Sequence, residues 1–253
     1  MEDVQMNYHY YCYTPTLQTF FMTFLLVYLL AYFLLFRDWG PRARPFASSC
    51  FISLAHGTPA TLLAVCAIYT EPPRSFASAN TAAQSTVLEF STAYFLIDLL
   101  HYLVFFPHDT LFIIHHVVTL FVLLTCRYMV SRGAYGILVL LVLAEITSPC
   151  QNSWSIAKAR RDVAPAANKY YRFLSPRFYA FYSVVRGILA PIFVYDLVAF
   201  YASGLAEDSI PRWVWLSWVV VMGSGILVSI IWVLNNWKQW YRERSSDAEK
   251  KAS

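Results

Sequence analysis

The chain alternates long apolar runs with short polar breaks. Seven runs are long enough to be membrane spans: residues 16–36, 48–70, 85–106, 111–126, 134–150, 178–201 and 213–236. A helix that crosses the hydrocarbon core of a bilayer needs about 20 mostly apolar residues. The pattern therefore predicts an all-α, polytopic membrane protein with seven transmembrane helices. Because the fourth and fifth runs are short, a five-span alternative, in which they form one re-entrant hairpin, stays open.

The composition supports a membrane protein and argues against other classes. Of the 253 residues, 58% are hydrophobic and 13% are charged, whereas charged residues make up roughly a quarter of a soluble domain. The net charge of +4 does not indicate a nucleic-acid partner, because the lysines and arginines gather at the ends of the apolar runs. The five cysteines have no paired or CxxC spacing, so neither a disulfide framework nor a zinc site is expected.

The basic residues predict the orientation of the chain. Most of them lie in the break after the first run, in the break between the fifth and sixth runs, and after the seventh run. Cytosolic loops carry an excess of Lys and Arg, so we expect a luminal N-terminus and a cytosolic C-terminus. The five-span alternative has the same charge pattern.

The C-terminal sequence "AEKKAS" places Lys250 and Lys251 four and three residues from the end. On a cytosolic tail this is the pattern of the dilysine signal that returns membrane proteins to the endoplasmic reticulum, and it predicts that location. The alternative is that the two lysines only mark the cytosolic side. Residues 241–253 are charged and small, so we expect a disordered tail.

Polar side chains interrupt five of the predicted helices at a similar depth. They are His56, Asp98, His101, the pair His115 and His116, Glu145 and Arg186. At a helical rise of about 1.5 Å per residue, all of them fall in the cytosolic third of the membrane. A charged side chain at mid-membrane costs about 2.5 to 3.5 kcal/mol. We therefore expect these side chains to point into the bundle and converge.

The adjacent His115 and His116 project about 100° apart around a helix, so one is expected to face a cavity while the other supports it or faces the next helix. Such a pair fits a hydrogen-bonded contact between helices, a metal site, or acid–base and nucleophilic chemistry. Membrane di-iron enzymes carry repeated HxxxH and HxxHH clusters, which this chain lacks, so no metal is expected. An acid at matching depth favours the third interpretation.

One stretch of the chain is similar to a known family. The sequence "YFLIDLLHYLVFFPHDTLFIIHHVVTLFVLL", followed by "LVLAEITSPCQNSWSIAK", resembles the TLC-domain family, a six-helix membrane module shared by ceramide synthases, translocating-chain-associated proteins and several lipid-homeostasis proteins. The resemblance implies three segments: residues 1–44 with the N-terminal luminal segment, first helix and loop; residues 45–240 as the TLC domain; and residues 241–253 as a cytosolic tail.

The resemblance also implies roles for individual residues. In ceramide synthases the HH pair is catalytic and acyl-CoA is the acyl donor, so His115 and His116 would be catalytic here, with Glu145 at the acidic position. Ceramide synthases usually show D-x-x-D, whereas this chain has Ser148 at the second acidic position. The sequence "EITSPCQN" is closer to the branch outside the ceramide synthases, which often carries a downstream Asn, here Asn152. This departure argues against sphinganine acylation.

These observations give one leading functional hypothesis and two rivals. The leading hypothesis is acyl transfer to a lipid amine or hydroxyl, with acyl-CoA as co-substrate and no bound cofactor. In it Asp98, His101, Arg186 and Asn152 are binding residues, and the partners are membrane lipids or fatty-acyl chains. The rivals are a non-enzymatic lipid-binding regulator of membrane composition and a cargo receptor or translocon-associated protein. A homo-oligomer stays open as well.

Overall fold

The computed structural model describes residues 16–70 and 75–252, with side chains up to Ser245. The predicted luminal segment before residue 16, most of the break after the second run, and the side chains of Lys250 and Lys251 lie outside this description. The helices are α1 (Leu17–Leu30), α2 (Ala43–Thr70), α3 (Ala82–Phe105), α4 (Thr110–Leu124), α5 (Ala134–Glu145), α6 (Ser148–Arg160), α7 (Pro165–Val184), α8 (Ala190–Ala202) and α9 (Arg212–Ala252). The described residues contain no β-strand, which confirms the all-α prediction.

The helices combine into seven spans, each long and apolar enough to cross a membrane. They are Leu17–Leu35, Ala43–Thr70, Ala82–Phe105, Thr110–Val130, Ala134–Arg160, Pro165–Ala202 and Arg212–Ser245. Each predicted run lies inside one of these spans or exceeds it by a single residue at one or both ends. The fourth and fifth spans have 21 and 27 residues, so each is long enough to cross alone. The seven-span prediction is confirmed.

Three spans contain a short π-helical segment. These segments are Ala31–Leu35 after α1, Thr125–Val130 after α4, and Val185–Leu189 between α7 and α8. A π-helical turn holds an extra residue and is found frequently at functional sites. The third segment carries Arg186, one of the predicted site residues.

The fifth span is broken at the predicted acidic residue. Helix α5 ends at Glu145 and α6 begins at Ser148. Pro149 lies in the first turn of α6, where its missing N–H leaves no hydrogen bond unmade. The short sequence "EITSP" therefore encodes a break inside the bundle and places Glu145 and Ser148 on either side of it.

The C-terminal tail differs from our expectation. Helix α9 continues without interruption from Arg212 to Ala252, so the prediction of a disordered tail was wrong. The tail contains Arg, Glu, Lys and Ala, which have high helix propensity. Because it extends an existing helix, it does not bear the cost of nucleating a new one.

Small and large apolar residues divide the bundle into an interior and an outer surface. On α2, Ala60, Ala64 and Ala67 are buried at the spacing of one helix face, and small residues let helix backbones approach closely. Large side chains such as Leu34 and Val220 are 63% and 68% exposed. In a membrane protein this outer apolar surface faces lipid.

Asn80 joins the start of α3 to the turn between α4 and α5. Its Nδ2 donates to the Cys126 carbonyl oxygen and its Oδ1 accepts from the Ala134 amide, both at 2.9 Å. Its own amide donates to the Ser131 carbonyl oxygen, also at 2.9 Å. One side chain thus fixes the end of the fourth span and the beginning of the fifth, which carry the histidine pair and Glu145.

We expect Asn80→Ala to lower the free energy of unfolding by about 1 to 3 kcal/mol, because it leaves a part-buried carbonyl and amide without partners. The midpoint of thermal unfolding in detergent, followed by tryptophan fluorescence, measures this. Asn235→Ala is the matched control, because Asn235 is exposed on α9. Equal midpoints for the two variants would show that Asn80 does not stabilise this junction.

Candidate functional site

His116 and Asp98 form a buried pair between α4 and α3. The His116 Nε2 lies 2.9 Å from the Asp98 Oδ2, and the two residues are 3% and 4% exposed. The carboxylate also accepts hydrogen bonds from Ser49 Oγ of α2 at 2.7 Å and from the Tyr94 hydroxyl at 3.3 Å. Three helices therefore supply partners to one carboxylate, which offsets its removal from water.

Both ring nitrogens of His116 are occupied. The Nδ1 lies 2.7 Å from the Phe112 carbonyl oxygen, which accepts only, so Nδ1 carries a proton. The Nε2 faces the Asp98 carboxylate, so this contact also holds a proton on one atom or the other. In either case His116 has no free lone pair. It therefore orients the Asp98 carboxyl group, and it cannot take up a proton or attack a carbonyl carbon without losing one of these bonds.

His115 lies on the other side of α4 and is exposed. Phe95 of α3 packs edge-on against His115 and His116, with ring centroids 6.2 Å and 5.6 Å apart. No described residue forms a hydrogen bond with His115. The sequence could not say which histidine faces inward; the structure places His116 in the interior and leaves the His115 ring nitrogens open.

Glu145 is buried at the break between α5 and α6. Its Oε2 accepts from Ser148 Oγ at 2.7 Å and lies 3.8 Å from the Nδ1 of His56, which is too long for a hydrogen bond. Gly57 packs directly against this pair, because a Cβ there would lie 2.9 Å from both Glu145 Oε2 and Ser148 Cβ. At position 148, where a D-x-x-D pattern would have its second acid, this chain thus has a hydroxyl that donates to Glu145.

His56 and Tyr94 connect the two carboxylates. The His56 ring is fully buried and stacks on Tyr94, with centroids 4.1 Å apart and ring planes within 9°. The Tyr94 hydroxyl reaches Asp98, while the His56 Nδ1 faces Glu145 without a hydrogen bond. His56 was expected to point into the bundle at this depth; its place between the two acids was missed. Tyr94 lies one helical turn before Asp98, which is the sequence signal that could have identified it.

His101 and Asn152 border the site. The His101 Nδ1 lies 2.8 Å from the Tyr28 hydroxyl of α1, and its buried Nε2 has no hydrogen-bond partner among the described residues. Asn152 donates to Ser53 Oγ at 2.8 Å and to the Ser148 carbonyl oxygen at 2.9 Å, so it ties α6 to α2. Tyr28 belongs to the first span, in which no site residue was predicted.

Arg186 completes the set from the sixth span. Its Nη2 donates to the Ala144 carbonyl oxygen at 2.7 Å, next to Glu145 in the chain. Arg186 is close enough to interact electrostatically with both Glu145 and His115. Within residues 16–70 and 75–252, no three His, Cys, Asp or Glu side chains are grouped as metal ligands. The arrangement offers an open imidazole, a buried histidine–carboxylate pair and a nearby cation.

Comparison with known proteins places most of this site in one sequence family. Residues 47–238 match the TLC domain, and this range includes every site residue named above except Tyr28. The chain is also similar to a TLC domain-containing protein of Arabidopsis thaliana, with 57% identity over 235 residues and 92% of each chain covered. No solved structure matches the chain.

We expect Gly57→Ala to lower the free energy of unfolding by about 1 to 3 kcal/mol, because the new methyl group must displace Glu145 and Ser148. Gly223→Ala is the matched control: its Cβ would meet nothing within 4 Å, and alanine favours a helix by roughly 0.5 to 1 kcal/mol over glycine. Thermal unfolding midpoints of both variants in detergent test this. A Gly57→Ala protein as stable as wild type would show that the helices can separate without cost.

Proposed function

Because the chain belongs to the TLC-domain family, we propose that this multi-pass membrane protein has a lipid-related function and transfers an acyl group from acyl-CoA to a lipid amine or hydroxyl. The observation that carries the proposal is the difference between the two histidines. His116 is locked between Asp98 and the Phe112 carbonyl oxygen, whereas His115 is exposed with both nitrogens open.

His115 is the reacting residue in this scheme. As a general base, it takes the proton of the acceptor hydroxyl or amine while the acceptor attacks the thioester carbonyl carbon; the C–S bond breaks and coenzyme A leaves as a thiolate, which His115 then protonates. As a nucleophile, its ring nitrogen attacks the acyl carbon first, the C–S bond breaks and coenzyme A leaves as a thiolate. The acceptor then attacks the acyl carbon, the C–N bond breaks, and the acceptor's proton passes to the thiolate. Both routes need an imidazole nitrogen without an internal partner.

The surface around His115 is suited to a lipid chain. Its neighbours on α4, Ile114 and Val117, are 59% and 50% exposed, so His115 lies within an apolar outer surface. An acyl chain lying against α4 would bring its head group to the imidazole. Behind it, the His116–Asp98 pair and Glu145 supply a fixed electrostatic environment for charge that develops in the transition state.

We propose that the protein lies in the endoplasmic reticulum membrane with a luminal N-terminus and a cytosolic C-terminus. The distribution of Lys and Arg supports the orientation, and Lys250 and Lys251 support the location. Acyl-CoA is water-soluble at its head group, and in this orientation it reaches the polar residues from the cytosolic side.

The test is incubation of detergent-purified protein with labelled acyl-CoA, followed by intact-protein mass spectrometry and lipid extraction. We expect wild type to transfer label to a histidine or to lipid, and His115→Ala to be slower by roughly 10²- to 10⁴-fold, since it removes the acid–base or nucleophilic group. His108→Ala is the matched control, because His108 lies exposed in the turn between α3 and α4; it should match wild type.

Two outcomes would contradict the proposal. If wild type and both variants carry the same bound lipid and transfer nothing, the protein is a lipid-binding regulator without turnover. If function in cells survives loss of His115 and is lost on changing Lys250 and Lys251 to Ser, the protein is a membrane cargo receptor.

The two histidines should also differ in their effect on stability. We expect His116→Ala to lower the free energy of unfolding by about 1 to 3 kcal/mol, because Asp98 loses a buried partner. His115→Ala should leave the thermal unfolding midpoint within error of wild type, since the exposed ring forms no hydrogen bond with described residues. Equal loss of stability in both variants would contradict the structural division between them.

A further inference from the structure

Arg186 carries a positive charge and forms no ion pair with a described carboxylate. No carboxylate oxygen of the described residues lies within 4.0 Å of the guanidinium. One nitrogen, Nη2, donates to the Ala144 carbonyl oxygen; another, Nε, is buried and has no hydrogen-bond partner in the part of the chain that the structure describes. The remaining polar contact is weak: its Cζ lies 5.1 Å from the ring centroid of Tyr182. An intramembrane cation without a counter-ion is costly, which indicates that something else pairs with it.

A purely structural role explains only part of this arrangement. The Ala144 carbonyl oxygen lies at the end of α5, where a cation is favourable, so Arg186 could be only a helix cap. That carbonyl, however, already accepts a hydrogen bond from Thr147 Oγ at 3.0 Å. Capping this carbonyl therefore does not require a charged guanidinium. A capping role also does not explain why the buried Nε of Arg186 has no described partner.

The nearby carboxylate of Glu145 does not form an ion pair with Arg186. Glu145 is close enough to interact electrostatically with it, but its Oε2 is engaged by Ser148 and faces His56. Arg186 is only half-buried, so part of the guanidinium is open. His115, the other open polar side chain of the site, also interacts electrostatically with Arg186.

We propose that Arg186 binds the anionic head group, a carboxylate or a phosphate, of a single-chain lipid whose tail lies against α4. A guanidinium is planar and presents parallel N–H donors that match both groups. This inference deepens the proposed function and rests on it in one respect only, the identity of the acyl acceptor. If the protein transfers an acyl group, the acceptor is an acidic lipid with a free amine or hydroxyl. A cationic long-chain base would be repelled by the same charge, which agrees with the absence of a second acid at Ser148.

The test is titration of detergent-purified full-length protein, followed by native mass spectrometry, with two pairs of ligands that share a chain and differ in head-group charge. The pairs are palmitate with methyl palmitate, and lysophosphatidate with lysophosphatidylcholine. We expect wild type to bind at least one anionic ligand on the order of 10- to 100-fold more tightly than its uncharged or zwitterionic counterpart, the effect of a charge-assisted hydrogen bond. A preference in one pair alone identifies the group as a carboxylate or a phosphate.

Arg186→Gln should remove this preference, bringing the ratio of affinities to about 1, while binding of methyl palmitate stays at the wild-type level. Arg177→Gln is the matched control: Arg177 lies on the same span, is exposed and donates to the Phe173 carbonyl oxygen, so the ratio should not change. The proposal is overturned if wild type shows no preference, or if Arg186→Gln keeps the preference and only melts earlier, which is the result for a helix cap.

The titration requires no turnover, so it separates this inference from the enzymatic one. Anionic preference without acyl transfer would support the Arg186 site and refute the acyltransferase. Acyl transfer with no anionic preference would support the acyltransferase and refute the Arg186 site. His115→Ala should retain the preference, because the anionic group of the ligand contacts Arg186, whereas only a reacting amine or hydroxyl would contact the imidazole.

Discussion

The contact between His116 and Asp98 is the interaction on which the rest of the interior depends. A carboxylate inside a lipid-embedded bundle is stable only when hydrogen-bond donors surround it, and here the donors come from α2, α3 and α4. Because each donor must reach the same two oxygens, the pair fixes the distance and rotation of these helices relative to one another. Apolar packing in lipid is less selective, since lipid tails are as apolar as the side chains they replace.

The consequence for the site is a division of labour between neighbouring residues. The bonds that hold His116 also fix the rotation of α4, and a helix turned so that one residue faces inward must turn the next about 100° away. His115 is thereby kept open without any bond of its own. The break before Pro149 has a similar effect in the fifth span: it ends α5 at Glu145 and lets Ser148 begin a new helix beside it. In both places a short sequence determines the directions in which neighbouring side chains point.

The large-scale architecture could be predicted because lipid imposes strong rules on composition. Apolar runs of sufficient length identify all seven spans, and counting residues from their ends places His56, Glu145 and the others at a common depth. The pairing within the cluster could not be predicted in the same way. Depth does not determine rotation, so neither the Asp98–His116 bond nor the stacking of His56 on Tyr94 follows from the spacing. The π-helical turn at Arg186 leaves no mark in hydropathy, and the helical tail was missed because composition alone ignores the helix it continues.

Tyr28 connects the first span to the site, since its hydroxyl meets His101 although α1 precedes the residues that match the TLC domain. The first span is therefore part of the interior wall and more than a membrane anchor. Exchanging that helix between two relatives would transplant a hydrogen-bond partner of His101 along with it. A chimera with phenylalanine in place of Tyr28 would insert normally and still leave the buried imidazole of His101 without this partner. The start of the sequence match therefore does not mark the start of the residues that form the site.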